Sequence, residues 1–258
     1  SEDIEAGDPA NSDAAAGLDA KVTLSTSLNL DLTINPDFSQ VEVDRQRTNL
    51  DRFELFFPEK RQFFLENSDL FASLGSKNIR PFFSRRIGLA SPVIGGARLS
   101  GKLGSNYRLG IMSMQTDANG ETPASNFTVA TLQRKILTRS SLSVFLVNKE
   151  SDLQDNSDGS DNSYNQVSGI DFNLASVDNL WTGKAFFHQA IYKNAGDNAF
   201  AAATSIKYNT GTVSAHMGYS FVGSDFQADV GFVKRIGFHR FGSDLEFKFY
   251  PEEGNILN

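Results

Sequence analysis

Four carboxylates, Glu54, Glu59, Glu66 and Asp69, fall within the stretch RFELFFPEKRQFFLENSDLF, residues 52–71. Two of them at the right separation would make the acid and base of a glycosidase. They are interleaved with Arg52, Lys60 and Arg61, so ion pairing inside the segment is the simpler use for them. In GARLSGKL, Gly96, Gly101 and Lys102 keep phosphate-loop spacing, but Leu103 stands where Ser or Thr would hold magnesium. The acidic run DLQDNSDGSDNS, residues 152–163, fails EF-hand spacing, since Gln154 falls at the first ligand position and no Glu at the twelfth. His188, His216 and His239 are far apart in sequence and lack ligand spacing. Arg85 and Arg86, in FFSRRIGL, could line a constriction that favours anionic or sugar solutes. Anchoring a plug to acidic wall residues is an equal alternative for them. These weighings assign no catalytic residue, no cofactor and no metal, and the chain is expected not to be an enzyme.

Bulk properties narrow the partners. A net charge of −7 argues against nucleic acid, whose phosphates need Lys and Arg. The absence of Cys removes disulfides, thiolate metal sites and cysteine nucleophiles together. Mean hydropathy of −0.30 looks water-soluble. A transmembrane β-barrel gives the same average, because lipid-facing and lumen-facing residues alternate.

The elements that position these residues read as strands. In KVTLSTSLNLDLTI, Val22, Leu24, Leu28, Leu30, Leu32 and Ile34 alternate with Lys21, Thr23, Asn29, Asp31 and Thr33. Such period-two alternation predicts one long strand over 20–34 with an apolar and a polar face. Similar runs predict strands at about 95–103, 107–116, 125–136, 141–150, 165–176, 181–193, 199–208, 213–222, 226–235 and 240–250. Tight turns at 103–106, 137–140, 177–180, 209–212 and 236–240 alternate with looser polar connections. Short turns at one end and long loops at the other describe an outer-membrane barrel. Tyr107, Trp181 and Tyr208 sit beside short turns, and Tyr164 and Tyr192 beside long loops, as two interfacial girdles would.

The expected fold is therefore all-β, an antiparallel up-and-down transmembrane β-barrel with a long inserted plug or lid. Residues 1–18 form an acidic linker, 19–34 the first barrel strand, 35–94 the Phe-rich insert and 95–258 a meander of strands. The first strand should rise from a periplasmic linker, so that the insert leaves and re-enters at the outer rim. Phe53, Phe56, Phe57, Phe63 and Phe64 are expected to form the plug core, with Arg52, Glu54, Lys60, Arg61, Glu66, Arg85 and Arg86 as its charges or constriction. The strand count is odd, whereas single-chain bacterial barrels have even counts, so the barrel is expected to continue beyond Asn258.

LDLTINPDFSQVEVD, NLDRFELFFPEKRQFFLENSDLF, FFSRRIGL and PVIGGARLSGKLG, in this order over about residues 19–117, resemble a gram-negative family. Its members carry an N-terminal carbohydrate-binding family-9-like domain followed by a large domain of unknown function, number 5916. This chain resembles the latter without the N-terminal module. The resemblance implies an outer-membrane barrel, with no catalytic residues to carry over. The expected function is a plugged channel or envelope-assembly component for solute passage, with a saccharide as one candidate solute. Outer-membrane lipid and envelope proteins are its expected partners. One alternative is a surface-anchored glycan-binding or glycan-hydrolysing protein whose barrel is only an anchor. Another is a scaffold for partner lipoproteins.

Overall fold

A computed structural model describes residues 17–36, 53–120, 122–152 and 163–249. Two strands open it, β1 (Leu18–Ser25) and β2 (Leu28–Ile34). The insert follows, with helical turns α1 (Gln62–Leu65) and α2 (Asp69–Ala72) and the short strand β3 (Ile79–Arg80). A meander comes next: β4 (Val93–Leu103), β5 (Tyr107–Thr116), β6 (Ser125–Ile136), β7 (Ser140–Ser151) and β8 (Ser163–Ala175). It continues through β9 (Trp181–Tyr192), β10 (Phe200–Asn209) and β11 (Val213–Val222), then the two-residue β12 (Phe232–Val233) and finally β13 (Phe238–Phe247). No described helix is long and apolar enough to cross a membrane.

One 11-stranded antiparallel sheet holds everything but β3 and β12, in the order β1-β2-β4-β5-β6-β7-β8-β9-β10-β11-β13. The all-β, up-and-down expectation holds. Closure does not: β1 and β13 are free edges, so the described residues form an open sheet rather than a barrel. The reason is directional. Ile34 pairs with Leu18 and Phe247 with Val213, so both edge strands run toward the short-turn end. Joined to each other they would pair in parallel, which an up-and-down barrel excludes.

The expected strand over 20–34 is a hairpin folded back at Thr26 and Ser27. Its arms pair Val22 with Leu30 and Lys21 with Asp31, apolar opposite apolar and cation opposite anion. Because the alternation stays in phase through the turn, period two alone could not reveal the fold-back. The chain therefore enters β1 at the end where the insert departs, opposite to the expected periplasmic entry. β2 still runs away from the short turns, so the insert leaves and returns at the long-connection end.

The strand expected over 226–235 is also corrected. Residues 223–237 form an inward loop in which only Phe232 and Val233 pair, with Arg80 and Ile79 of the insert. Phe226, Val230 and Phe232 alternate because they point into a core, not because they belong to a wall. The two corrections offset each other, which is why eleven wall strands remain.

The sheet is apolar on its exposed convex face and mixed on its buried concave face. Ile111, Leu132, Leu146, Ile170, Phe187, Ile206 and Met217, one from each strand from β5 to β11, are all exposed. Asp31, Arg98, Ser100, Ser143, Asp171 and His188 are buried on the other side. On the convex face Trp181 and Tyr208 meet at 4.7 Å with their rings tilted by 45° beside the short turns, and the Arg134 guanidinium lies 5.5 Å from the Tyr107 ring centre. Tyr164 is exposed near the long connections. Tyr192 departs from the girdle expectation: its hydroxyl donates inward to the Asp225 carbonyl at 2.7 Å.

Candidate functional site: an insert clamped to the inner wall

Residues 53–92 pack on part of the concave face, and their apolar side chains share one core with it. Phe64, Leu70, Phe71, Leu74, Ile79, Phe82 and Ile87 of the insert join Met112, Met114, Phe127, Val129, Phe145 and Val147 of β5–β7. Small residues make the approach possible. A Cβ at Gly110 would lie 2.7 Å from Phe71 Cζ, so the bare backbone of β5 is what admits the ring.

The expected plug core is therefore redistributed. Phe64 is buried, and Phe63 meets it edge-on at 5.3 Å. Phe56 is 39 % exposed and packs on Phe83 and Phe232 at 5.1 and 5.4 Å, beneath the Arg80 guanidinium. Phe53 and Phe57 are half-buried, beside Lys234 and Arg85. Leu70, Phe71 and Phe82, none of them among the five residues expected for the core, are buried more deeply than Phe53, Phe56 or Phe57. Between the insert and the wall lies a cavity of about 260 Å³, lined by Phe64, Phe71, Phe82, Arg80, Arg98 and Met112.

Charged groups clamp the insert at three places on the wall. At β2 and β4, Arg98 Nη2 lies 2.8 Å from Asp31 Oδ2, and Nη1 donates to the Phe63 carbonyl. Glu66 joins this cluster, 3.7 Å from Arg98 and paired with Lys21. At β5, Arg108 grips Asp69 with two bonds of 2.5 and 3.0 Å. That pairing holds the Asp69 carboxyl below its ordinary value, against an opposing push from partial burial.

The third clamp lies on β8 and β9 and is the most buried. Asp171 Oδ1 is 2.7 Å from His188 Nε2, with the two side chains 1 % and 0 % exposed. An ionised carboxylate only accepts, so Nε2 carries the proton. Asp171 Oδ2 accepts the Gly75 N–H at 2.7 Å and lies 3.4 Å from Lys184 Nζ, which donates to the Ser73 carbonyl. Gly75 has φ 69° and no room for a Cβ, which would meet the Ile79 carbonyl oxygen at 2.0 Å. His188 stacks on Phe186 at 4.4 Å, and its Nδ1 is buried without a partner among the described residues.

Inside the insert, Glu59 organises the remaining charges. It accepts from Arg61 Nε and Nη2 at 2.9 and 2.7 Å and from Ser84 Oγ at 2.6 Å. Arg61 also donates to the Ile87 and Ser84 carbonyls, tying residues 59–61 to residues 84–87. Burial pushes the Glu59 carboxyl up, but the Arg61 and Ser84 bonds and the Arg61 charge outweigh it and leave it below the ordinary value. A general acid needs the opposite shift. Arg85 donates to the Pro58 carbonyl at 2.9 Å, and Arg86 to Glu54 at 2.5 Å and the Gly231 carbonyl at 3.0 Å. Arg85 thus ties two parts of the insert together, and Arg86 ties the insert to the inward loop. Lys60 has partners as well. Arg52 lies outside the described residues, as does most of the acidic run at 152–163.

The phosphate-loop likeness resolves as strand β4. His216 and His239 pair separately, with Asp244 at 3.1 Å and the Tyr219 hydroxyl at 2.6 Å. No group of three or more metal-ligating side chains exists among the described residues. Sequence reasoning missed Arg98, Arg108, Asp171 and Lys184, placed Asp31 on a polar strand face without a partner, and weighed His188 only as a metal ligand. Their signal was available in part, since each is a charged or titratable residue at a concave-face position of its strand.

Residues 3–100 match the model of a domain of unknown function, DUF5916. The DUF5916 match takes in most of the acidic stretch expected as a linker and ends within β4. It thus spans β1, β2, the whole insert and the Arg98–Asp31 clamp, and leaves out the later meander. No curated protein matches the chain, and no solved structure does.

Proposed function

We propose that this chain forms the wall and plug of an outer-membrane channel, in which residues 53–92 close the lumen and solute passage requires them to shift. One observation carries this reading: the exposed face of the sheet is apolar, where a water-soluble sheet protein exposes polar residues. The exposed convex face is apolar from β5 to β11, while buried ion pairs line the concave face. Lipid against the convex face accounts for both, because a bilayer solvates Leu and Phe and leaves polar groups to the interior. In a bilayer the edges of β1 and β13 need hydrogen-bonding partners. An odd number of further antiparallel strands, from this polypeptide or another copy, would join two edges that run the same way.

Reconstitution into liposomes tests this. Leu146→Arg, on the convex face, should cost about 2–4 kcal/mol of folding stability if mid-membrane, and Asn29→Arg much less. Equal costs, or a monomer that stays dispersed without detergent, would refute membrane residence. A folded, membrane-resident protein without conductance would refute the channel and favour the anchor or scaffold alternatives.

A further inference from the structure

At the short-turn end, the concave face carries a second cavity, of about 380 Å³, lined by Lys102, Arg108, Lys135, Arg139, Gln133 and Ser141 among others. We propose that it is an anion vestibule, a binding place for solutes that carry phosphate or similar oxyanions. Its role in passage rests on the channel reading; its binding of oxyanions does not.

The charge arrangement points to a ligand. Lys102 and Arg108 stand directly opposite each other on β4 and β5, and Arg108 in turn faces Gln133 on β6. Lys135 faces Ser141 across β6 and β7, and Arg139 lies in the turn that joins them. Like charges directly opposite on neighbouring strands destabilise a sheet. Asp69 neutralises Arg108, and Arg139 donates to the Asn179 side chain. No carboxylate pairs with Lys102 or Lys135 among the described residues, in a chain whose net charge is −7. Elsewhere on the concave wall the buried Arg98 and the half-buried Lys184 are each matched by an Asp.

Lys102 and Lys135, with Arg108 and Arg139 beside them, thus converge on one polar recess, with the Gln133 amide and Ser141 hydroxyl as further donors. Lysine and arginine converging on such a recess suit the several oxygens of a phosphate group. Its cations stand on the concave face and in the adjoining turn, and Tyr107 of the girdle shares the lining. The occupant proposed is a solute that reaches them from the concave side.

Pyrophosphate is the probe, titrated by calorimetry into the detergent-solubilised full chain. Binding should weaken as salt screens the site. Lys102→Gln with Lys135→Gln should weaken it about tenfold or more. Arg134→Gln, on the convex face, should leave it unchanged. Without ligand the double variant should melt no lower than wild type, since repulsion has been removed. No binding by a folded wild type, or equal loss with Arg134→Gln, would overturn the vestibule. In planar bilayers the wild type should prefer anions by reversal potential and the double variant should lose that preference. Conductance without anion preference would overturn the vestibule and leave the channel standing. Absence of conductance with lysine-dependent pyrophosphate binding would do the reverse.

Discussion

Replacing Asp171 with Ala should undock the insert at residues 73–75 while leaving the wall strands paired. The carboxylate receives the His188 Nε2–H and the Gly75 N–H and faces Lys184, so its loss strips several groups at once. Breaking a buried pair by removing one partner costs about 3–5 kcal/mol. Lys184 is 22 % exposed and recovers some solvation, which lowers its share. Undocking also lets water reach the stranded groups, so the docked state should lose about 2–4 kcal/mol relative to the undocked one. At about 1.4 kcal/mol per factor of ten, the Gly75 amide should exchange about 30- to 700-fold faster. Hydrogen exchange in detergent micelles reads this directly, with the Val129 amide of β6 as an internal reference. Asp171→Asn keeps one acceptor and should give a smaller acceleration. A change at Gly75 below about threefold would refute the clamp, because the docking energy would then lie elsewhere. Equal acceleration at Val129 would show the whole sheet opening and refute the independence of insert and wall.

Other perturbations separate packing from charge. Gly110→Val places a side chain where Phe71 sits and should cost about 1–3 kcal/mol; the added Phe71→Ala change should recover part of that in thermal melts. Failure to recover would mean the two positions do not meet. Phe71→Ala alone should cost about 3–5 kcal/mol and raise single-channel conductance by loosening the insert, and unchanged conductance in a folded variant would count against a plug. Glu59 is more acidic folded than its ordinary value of 4.5, so its contribution is present above that value and lost as pH falls through the folded value. As pH is lowered below 4.5, proteolysis of the arms at 58–61 and 84–87 should therefore increase in wild type and change less in Glu59→Gln. A wild type indifferent to acid below that value would contradict the Arg61 clamp.

Much of the fold was legible before any coordinates, because local physics writes it into the sequence. Side chains alternate across a strand, so Lys21, Asn29 and Asp31 could be set opposite Leu28, Leu30 and Leu32 from spacing alone. Turn length distinguished the ends of the meander, and mixed aromatics and charges without period marked residues 52–71 as something other than wall. What spacing could not give depends on which distant segments meet. A hairpin at Thr26 keeps the alternation in phase, so only pairing shows it. Phe226, Val230 and Phe232 alternate like a strand, yet their position is set by packing against the insert. Arg98 finds Asp31, and Gly75 finds Asp171, only after sheet register and docking bring them together. The free edges of β1 and β13 have the same origin: strand direction is a local property, but whether a sheet closes depends on how many strands intervene and what pairs with the last.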